Sequence, residues 1–270
     1  MRETQIVSNH IPKEISDFYE IHNYRNAAQT LATVCPNEFD ELLSALCSFR
    51  LTLDDIRKPG GSESDIPKRM SALLRKKGWL ETRIKGDLLI TKAAGNPPPK
   101  KKKMKEIVDE QEDEIEDIEN IEELEKRGYR IERITRKNFL DSHKVDYVKH
   151  RVAFDLEWNS KDQTFDRDLY AFRTFHEYDL IDAAVLLTRS KDLNIVFEEL
   201  GQERDANGEV KTNKKGKPKL IKAKYGASTT WMGKLLNRLD AGRNGQCPVL
   251  ALGITNKLIM DWKANEKTTS

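Results

Sequence analysis

The stretch Val145-Asp146-Tyr147-Val148-Lys149-His150-Arg151-Val152-Ala153-Phe154-Asp155-Leu156-Glu157-Trp158 predicts two strands joined by a short turn. Successive strand side chains point to opposite faces, so Asp155 and Glu157 share one face and Phe154, Leu156 and Trp158 the other. If the two strands pair, Asp146 comes up beside that acidic pair. Three carboxylates on one spot repel each other and need a cation. Oxygen ligands alone suit a hard divalent ion, magnesium before zinc. Such a cluster suits the cutting of phosphodiester bonds. On its own an Asp-x-Glu pair is more often a solvated strand face. Here Val152, Ala153, Phe154, Leu156 and Trp158 make the strand apolar, and buried like charges cost too much to be left unresolved. Lys161 is near enough in sequence to partner the cluster, and equally fits an exposed lysine.

Downstream the pattern predicts a helix over Arg167 to Tyr178, with Leu169, Phe172, Arg173 and His176 on adjoining turns. Ile181 to Thr188 and Pro248 to Ile254 are nearly continuous apolar runs, as expected of strands buried on both faces. Ser228 to Leu239 is predicted to be helical, and residues 201–224, rich in Lys, Gly and Asn, to form a basic loop. Strand–helix–strand order predicts an α/β fold, a mixed sheet flanked by helices.

Upstream, Ile15, Phe18, Tyr19, His22, Ala28, Leu31 and Ala32 fit a helical stripe, and a second helix is expected from Asn37 to Phe49. Lys58-Pro59-Gly60-Gly61-Ser62 reads as a loop. A third helix, Lys68 to Lys77, follows Ser64-Asp65-Ile66-Pro67 and closes at Gly78. Trp79 to Thr91 alternates like a hairpin around Lys85-Gly86-Asp87. Composition then breaks: Asn96-Pro97-Pro98-Pro99, Lys100 to Lys103, and an acidic run from Glu106 to Glu125. Residues 96–128 read as a charged insertion or linker set away from any nucleic-acid face. The organisation expected is a single domain over 1–270, with a helical N-terminal part over 1–95 and a catalytic core over 129–260.

The 270 residues are 37% hydrophobic and 34% charged, a polar but foldable balance. The net charge of +2 gives no global attraction to nucleic acid, so any such affinity is local. Cys35, Cys47 and Cys247 lack metal-ligand spacing and read as reduced cytoplasmic thiols. The five histidines form no metal-binding pair, and no apolar run is long enough to span a bilayer.

The segment Asp146 to Glu157 resembles the active-site hairpin of type II restriction endonucleases of the BglII/BamHI type, within the PD-(D/E)XK nuclease superfamily. The spacing matches: Asp146, then Asp155 nine residues on, then Glu157 two further. Most of the superfamily has lysine at the last position; BamHI has glutamate, as here, and BglII glutamine. Both have glutamate where this chain has Asp155, which keeps the charge and shortens the reach. The likeness covers about 145–190 and 225–255, and more loosely 20–85.

The resemblance implies a restriction endonuclease-like fold and a homodimeric enzyme that cuts double-stranded DNA at a short palindrome. Mg²⁺ would be held by Asp146, Asp155 and the backbone carbonyl of Leu156. Glu157 would orient or deprotonate the attacking water, and the products would carry 5′-phosphates. Glu177 and Lys161 are weaker candidates for the surroundings of the site. DNA contacts are expected from Asn159, Ser160, Lys161, Asp162 and Gln163, and from a later loop holding Lys222, Lys224, Tyr225, Ser228 and Thr229. For the basic loop around 211–224 an ordinary flexible loop is an equal reading. A cognate DNA methyltransferase would belong to the same system without being bound. Two other readings stand: a PD-(D/E)XK nuclease of repair or modification-dependent cleavage, and a non-catalytic regulator whose segment Glu38 to Ile90 is a winged helix, with the Trp79 hairpin as its wing.

Overall fold

A computed structural model describes residues 10–58, 65–95, 121–126, 128–205 and 207–263. The loop at 59–62, the Ser64 start signal, Lys100 to Lys103 and most of the acidic run fall outside the described residues. The chain divides into two compact units, Met1–Arg83 with Ser142–Ser270, and Ile84–Asp141.

The helices are α1 (Lys13–Ser16), α2 (Ala27–Val34), α3 (Pro36–Ser48), α4 (Leu53–Arg57), α5 (Asp65–Leu74), α6 (Ile121–Lys126), α7 (Thr164–Glu177), α8 (Leu193–Glu199), α9 (Ile221–Lys224) and α10 (Met232–Asp240). The strands are β1 (Tyr19–Tyr24), β2 (Leu80–Ala94), β3 (Arg130–Lys149), β4 (Val152–Glu157), β5 (Ala183–Arg189) and β6 (Val249–Ile254). They form one six-stranded sheet in the order β1-β6-β5-β4-β3-β2.

In the first unit β4, β5 and β6 run parallel, while β1 on β6 and β3 on β4 are antiparallel. Every residue of β4, β5 and β6 is buried. That matches the nearly continuous apolar runs of β5 and β6 and the helices that cover both faces of the sheet. Phe154, Leu156 and Trp158 join the core formed with α3 and α5, which holds Phe39, Leu42, Leu46, Ile66 and Met70. On the other face lie α7 and α10. Asp166 of α7 takes a bidentate pair from Arg238 of α10, at 2.9 and 3.0 Å, and a further bond from Arg243. Asp162, just before α7, accepts from Lys234 of α10 at 2.9 Å.

The N-terminal part departs from its reading in two places. Tyr19 to Tyr24 is a strand on β6, with Tyr19 opposite Ile254, rather than the continuation of a helix. Leu80 to Ala94 is a single strand rather than a hairpin turning at Lys85-Gly86-Asp87. A Cβ on Gly86 would stand 3.3 Å from the Cβ of Leu140, so this glycine admits a close neighbour and makes no turn. The wing of a winged helix is therefore absent from this segment. Trp79 is fully buried, and its Nε1 donates to Glu41 Oε2 at 3.0 Å.

The second unit consists of the remaining parts of β2 and β3 together with α6. Along β2 burial alternates, half-buried then exposed, as in a strand with one wet face.

Candidate active site

The hairpin forms as its alternation predicts. Tyr147 faces Phe154, Val148 faces Ala153 and Lys149 faces Val152, closed by a two-residue turn at His150 and Arg151. His150 sits at φ 46°, and its Nδ1 lies 2.5 Å from Glu38 Oε1, a contact that anchors the turn to α3. Arg151 donates to both oxygens of Asp182 at 2.8 Å, which ties the turn to the entry of β5.

Asp155 and Glu157 leave β4 on the face covered by α7. Asp155 is 3% exposed and Glu157 8%. The backbone N–H of Asp146 donates to Asp155 Oδ1 at 2.6 Å, so the first carboxylate of the motif is held beside the second. The peptide of Glu157 is fixed in turn: Thr188 Oγ1 donates to its carbonyl at 2.8 Å and Thr230 Oγ1 at 3.3 Å. Leu156 pairs with Leu187 across the parallel ladder.

A fourth carboxylate joins them. Asp168, on the second turn of α7, is 2% exposed and faces Glu157 and Asp155. The sequence reading missed it because Asp168 stands on the apolar stripe of α7, beside Leu169 and a turn away from Phe165 and Phe172. A lone acid on a buried helix face was the signal available.

The electrostatics follow from this crowding. Burial pushes the carboxyls of Asp155 and Asp168 well above the usual carboxylate range, and the neighbouring acids push in the same direction. Asp146 is raised by burial and then by Glu81. Glu157 is raised by burial and then by Asp146, with hydrogen bonding from Ser160 opposing. Asp155 Oδ2, Glu157 Oε2 and Asp168 Oδ2 are buried and receive no hydrogen bond. Arg167 Nε is 3.9 Å from Asp168 Oδ1, too far for a hydrogen bond, and the Arg167 side chain is half exposed.

These orphaned oxygens pass one test for a divalent cation: they are hard acceptors, buried, and lack any donor. Among the described residues no group of three His, Cys, Asp or Glu side chains is placed to ligate an ion directly. Glu177 lies outside the cluster, on the last turn of α7, paired with Arg173 at 2.7 Å.

The residues expected to meet DNA are brought together as two strips. Lys161 bridges Thr229, Asp162 N–H donates to Ser228 O at 3.0 Å, and Thr230 N–H donates to Ser160 O at 2.9 Å. Lys161, Gln163, Lys222 and Ser228 are exposed, and Asn159, Ser160 and Thr229 half-buried. Lys222 is paired with Glu198 at 2.5 Å. Lys224 and Tyr225 turn inward. The Lys224 amine donates to the carbonyls of Ile56 and Lys58, and the Tyr225 ring stacks on Phe197 at 4.1 Å. Tyr225 also donates to Ile56 O at 3.1 Å. These two hold the loop in place. Arg189 does the same from below, donating to Trp158 O at 2.9 Å and Thr229 Oγ1 at 2.7 Å.

A mixed sheet whose central hairpin carries Asp…Asp-x-Glu on the helix-covered face has the restriction endonuclease-like fold of the PD-(D/E)XK nucleases. Residues 19–254 match the family described as restriction endonuclease BglII/BglIII. The chain therefore belongs to that family, and is a type II site-specific deoxyribonuclease whose substrate is DNA. No curated protein matches it in sequence. Among the described residues no helix is long and apolar enough to cross a membrane. Family membership replaces the reading as a non-catalytic regulator.

Proposed function

We propose that this chain, as a homodimer on a short palindrome, hydrolyses one phosphodiester per strand in the presence of Mg²⁺ and leaves 5′-phosphate ends. The observation that carries this is the pair of buried carboxylates on β4, Asp155 and Glu157, each with an oxygen lacking any donor, beside Asp146 of β3. Asp146, Asp155 and the carbonyl of Leu156 are the residues to hold the ion. When bound, the ion polarises the scissile phosphate and lowers the pKa of a bound water. Asp146 N–H fixes the orientation of Asp155 through Oδ1, which leaves Oδ2 for the ion. Glu157 Oε2 accepts the hydrogen bond of the attacking water and takes up its proton. Its raised affinity for a proton suits that task at neutral pH better than an ordinary glutamate.

Base recognition is assigned to the paired strips, with Asn159, Ser160, Gln163, Ser228 and Thr229 towards base edges and Lys161 and Lys222 towards phosphates. A two-fold dimer fits a two-fold site. The associated methyltransferase acts on the same site without binding this chain.

The test is digestion of phage DNA in Mg²⁺ buffer, with Asp155→Ala in parallel and sequencing of the ends. Discrete bands that vanish in the variant, with 5′-phosphate ends, support the reading. A smear lost in the variant would leave a nuclease without tight sequence preference. Cleavage that survives Asp155→Ala sinks the site assignment.

A further inference from the structure

Asp168 has no part in the hairpin motif, yet it is as deeply buried as Asp155. Its Oδ2, like Asp155 Oδ2 and Glu157 Oε2, faces inward without a donor. Such an arrangement is costly: leaving one buried acceptor unsatisfied costs about 1–3 kcal/mol, and more when it is charged. Helix α7 could carry a leucine there at no such cost, and the α7–α10 clamp holds the helix in place without Asp168.

What completes the site must therefore supply a donor or positive charge to Asp155 Oδ2, and to Asp168 and Glu157 unless a proton is shared across their contact. Among the described residues no three His, Cys, Asp or Glu side chains stand ready to ligate an ion directly. A hydrated ion does fit. Magnesium gives up its waters reluctantly and usually keeps several of them. Those waters are donors, and carboxylates one layer out accept from them.

We propose that Asp168 is a positioning residue of the cation site, which with Glu157 accepts hydrogen bonds from the waters of a divalent ion held by Asp146 and Asp155. This rests on the reading of the site given above. Asp168 acts through the ion's waters and touches no substrate atom. It fixes the charge of the site at four carboxylates, where the hairpin alone supplies three. A proton shared between Asp168 and Glu157 would satisfy the same two oxygens, but would leave cation affinity independent of Asp168.

The test uses the full chain without DNA. Mg²⁺ and Ca²⁺ are titrated alone by calorimetry into the wild type, Asp168→Asn and Asp155→Asn, and melting is recorded in EDTA. The expected result is that Asp168→Asn binds the cation about 10–100-fold more weakly, while its metal-free melting temperature rises by about 2–4 °C because the amide supplies a donor to acceptors left unsatisfied. Wild-type cation affinity in Asp168→Asn overturns the proposal, with the shared proton as the remaining account. If Asp168→Asn does not fold, Asp168→Ser carries the same test. Failure of both to fold marks a structural carboxylate and overturns the proposal too. Loss of the cation in Asp155→Asn but not in Asp168→Asn removes only the role of Asp168. Wild-type affinity in Asp155→Asn removes the reading of the site itself.

Discussion

Asp146, Asp155 and Glu157 were legible because strand alternation is a local rule: two residues apart on a strand means one face. Asp168 was not, because only tertiary packing brings α7 over β4. The burial of Asp155, Glu157 and Asp168, with Asp146 at the open edge of the cluster, gives a sign to the pH dependence of the metal-free protein. A carboxyl that binds its proton more tightly in the folded state stabilises the fold at low pH, and that stability is lost as pH rises. Asp146, Asp155, Glu157 and Asp168 are all of this kind. Asp162, Asp166 and Asp182 are of the opposite kind, held low by Lys234, Arg238 and Arg151, and lose their contribution as pH falls below the ordinary carboxylate range. In EDTA the melting temperature should therefore fall from pH 5.5 to pH 8, about one to four units above the ordinary carboxylate pKa, and Mg²⁺ should restore part of the loss. A melting temperature that climbs over this interval would contradict the burial of uncompensated acids.

The elements were read well where one rule sufficed and misread where two rules competed. The continuous apolar runs of β5 and β6 have no other comfortable reading than buried strands. Ile15, Phe18, Tyr19 and His22 suit a helical stripe, but the segment pairs with β6, more than two hundred residues later, and non-local hydrogen bonds outweigh local spacing. Gly86 with Lys85 and Asp87 has the composition of a turn, while in the strand it leaves room for the close approach of Leu140. The clamp between α7 and α10 is the element-level support of the site. Asp166→Ala removes a bidentate partner of Arg238 and the contact with Arg243. Allowing for its partial exposure, the expected cost is about 1–2 kcal/mol, read as a lower urea midpoint. Cleavage should weaken as well, since α7 carries Asp168. Unchanged stability would show that solvent screens the clamp out.

At the scale of the whole molecule, the break in composition and the division into compact units do not begin at the same residue. The change of composition begins at Asn96, whereas the second compact unit begins at Ile84, because parts of β2 and β3 belong to it. Strand patterning continues smoothly through that boundary, so nothing in the composition marks it. With a net charge of only +2, DNA affinity depends on local cations. Lys161→Ala should weaken binding to all sequences alike and flatten the plot of log affinity against log salt by about 1 per protomer. An unchanged slope in a filter-binding or anisotropy titration would remove Lys161 from the phosphate contacts. The proposed dimer predicts one protein dimer per palindrome, and cleavage that falls off steeply when one half-site is altered.

The Lys161–Thr229 bridge, with its two flanking backbone hydrogen bonds, has a consequence for changing target specificity. The two strips are turns joined at a single bridge, so adding or deleting one residue in either would break the contacts that hold them together. Grafting residues 159–163 from a relative with a different target, while leaving 226–230 untouched, would mismatch the two halves of the proposed reading surface. New specificity in this scaffold is to be sought by exchanging both strips together, as a single cassette.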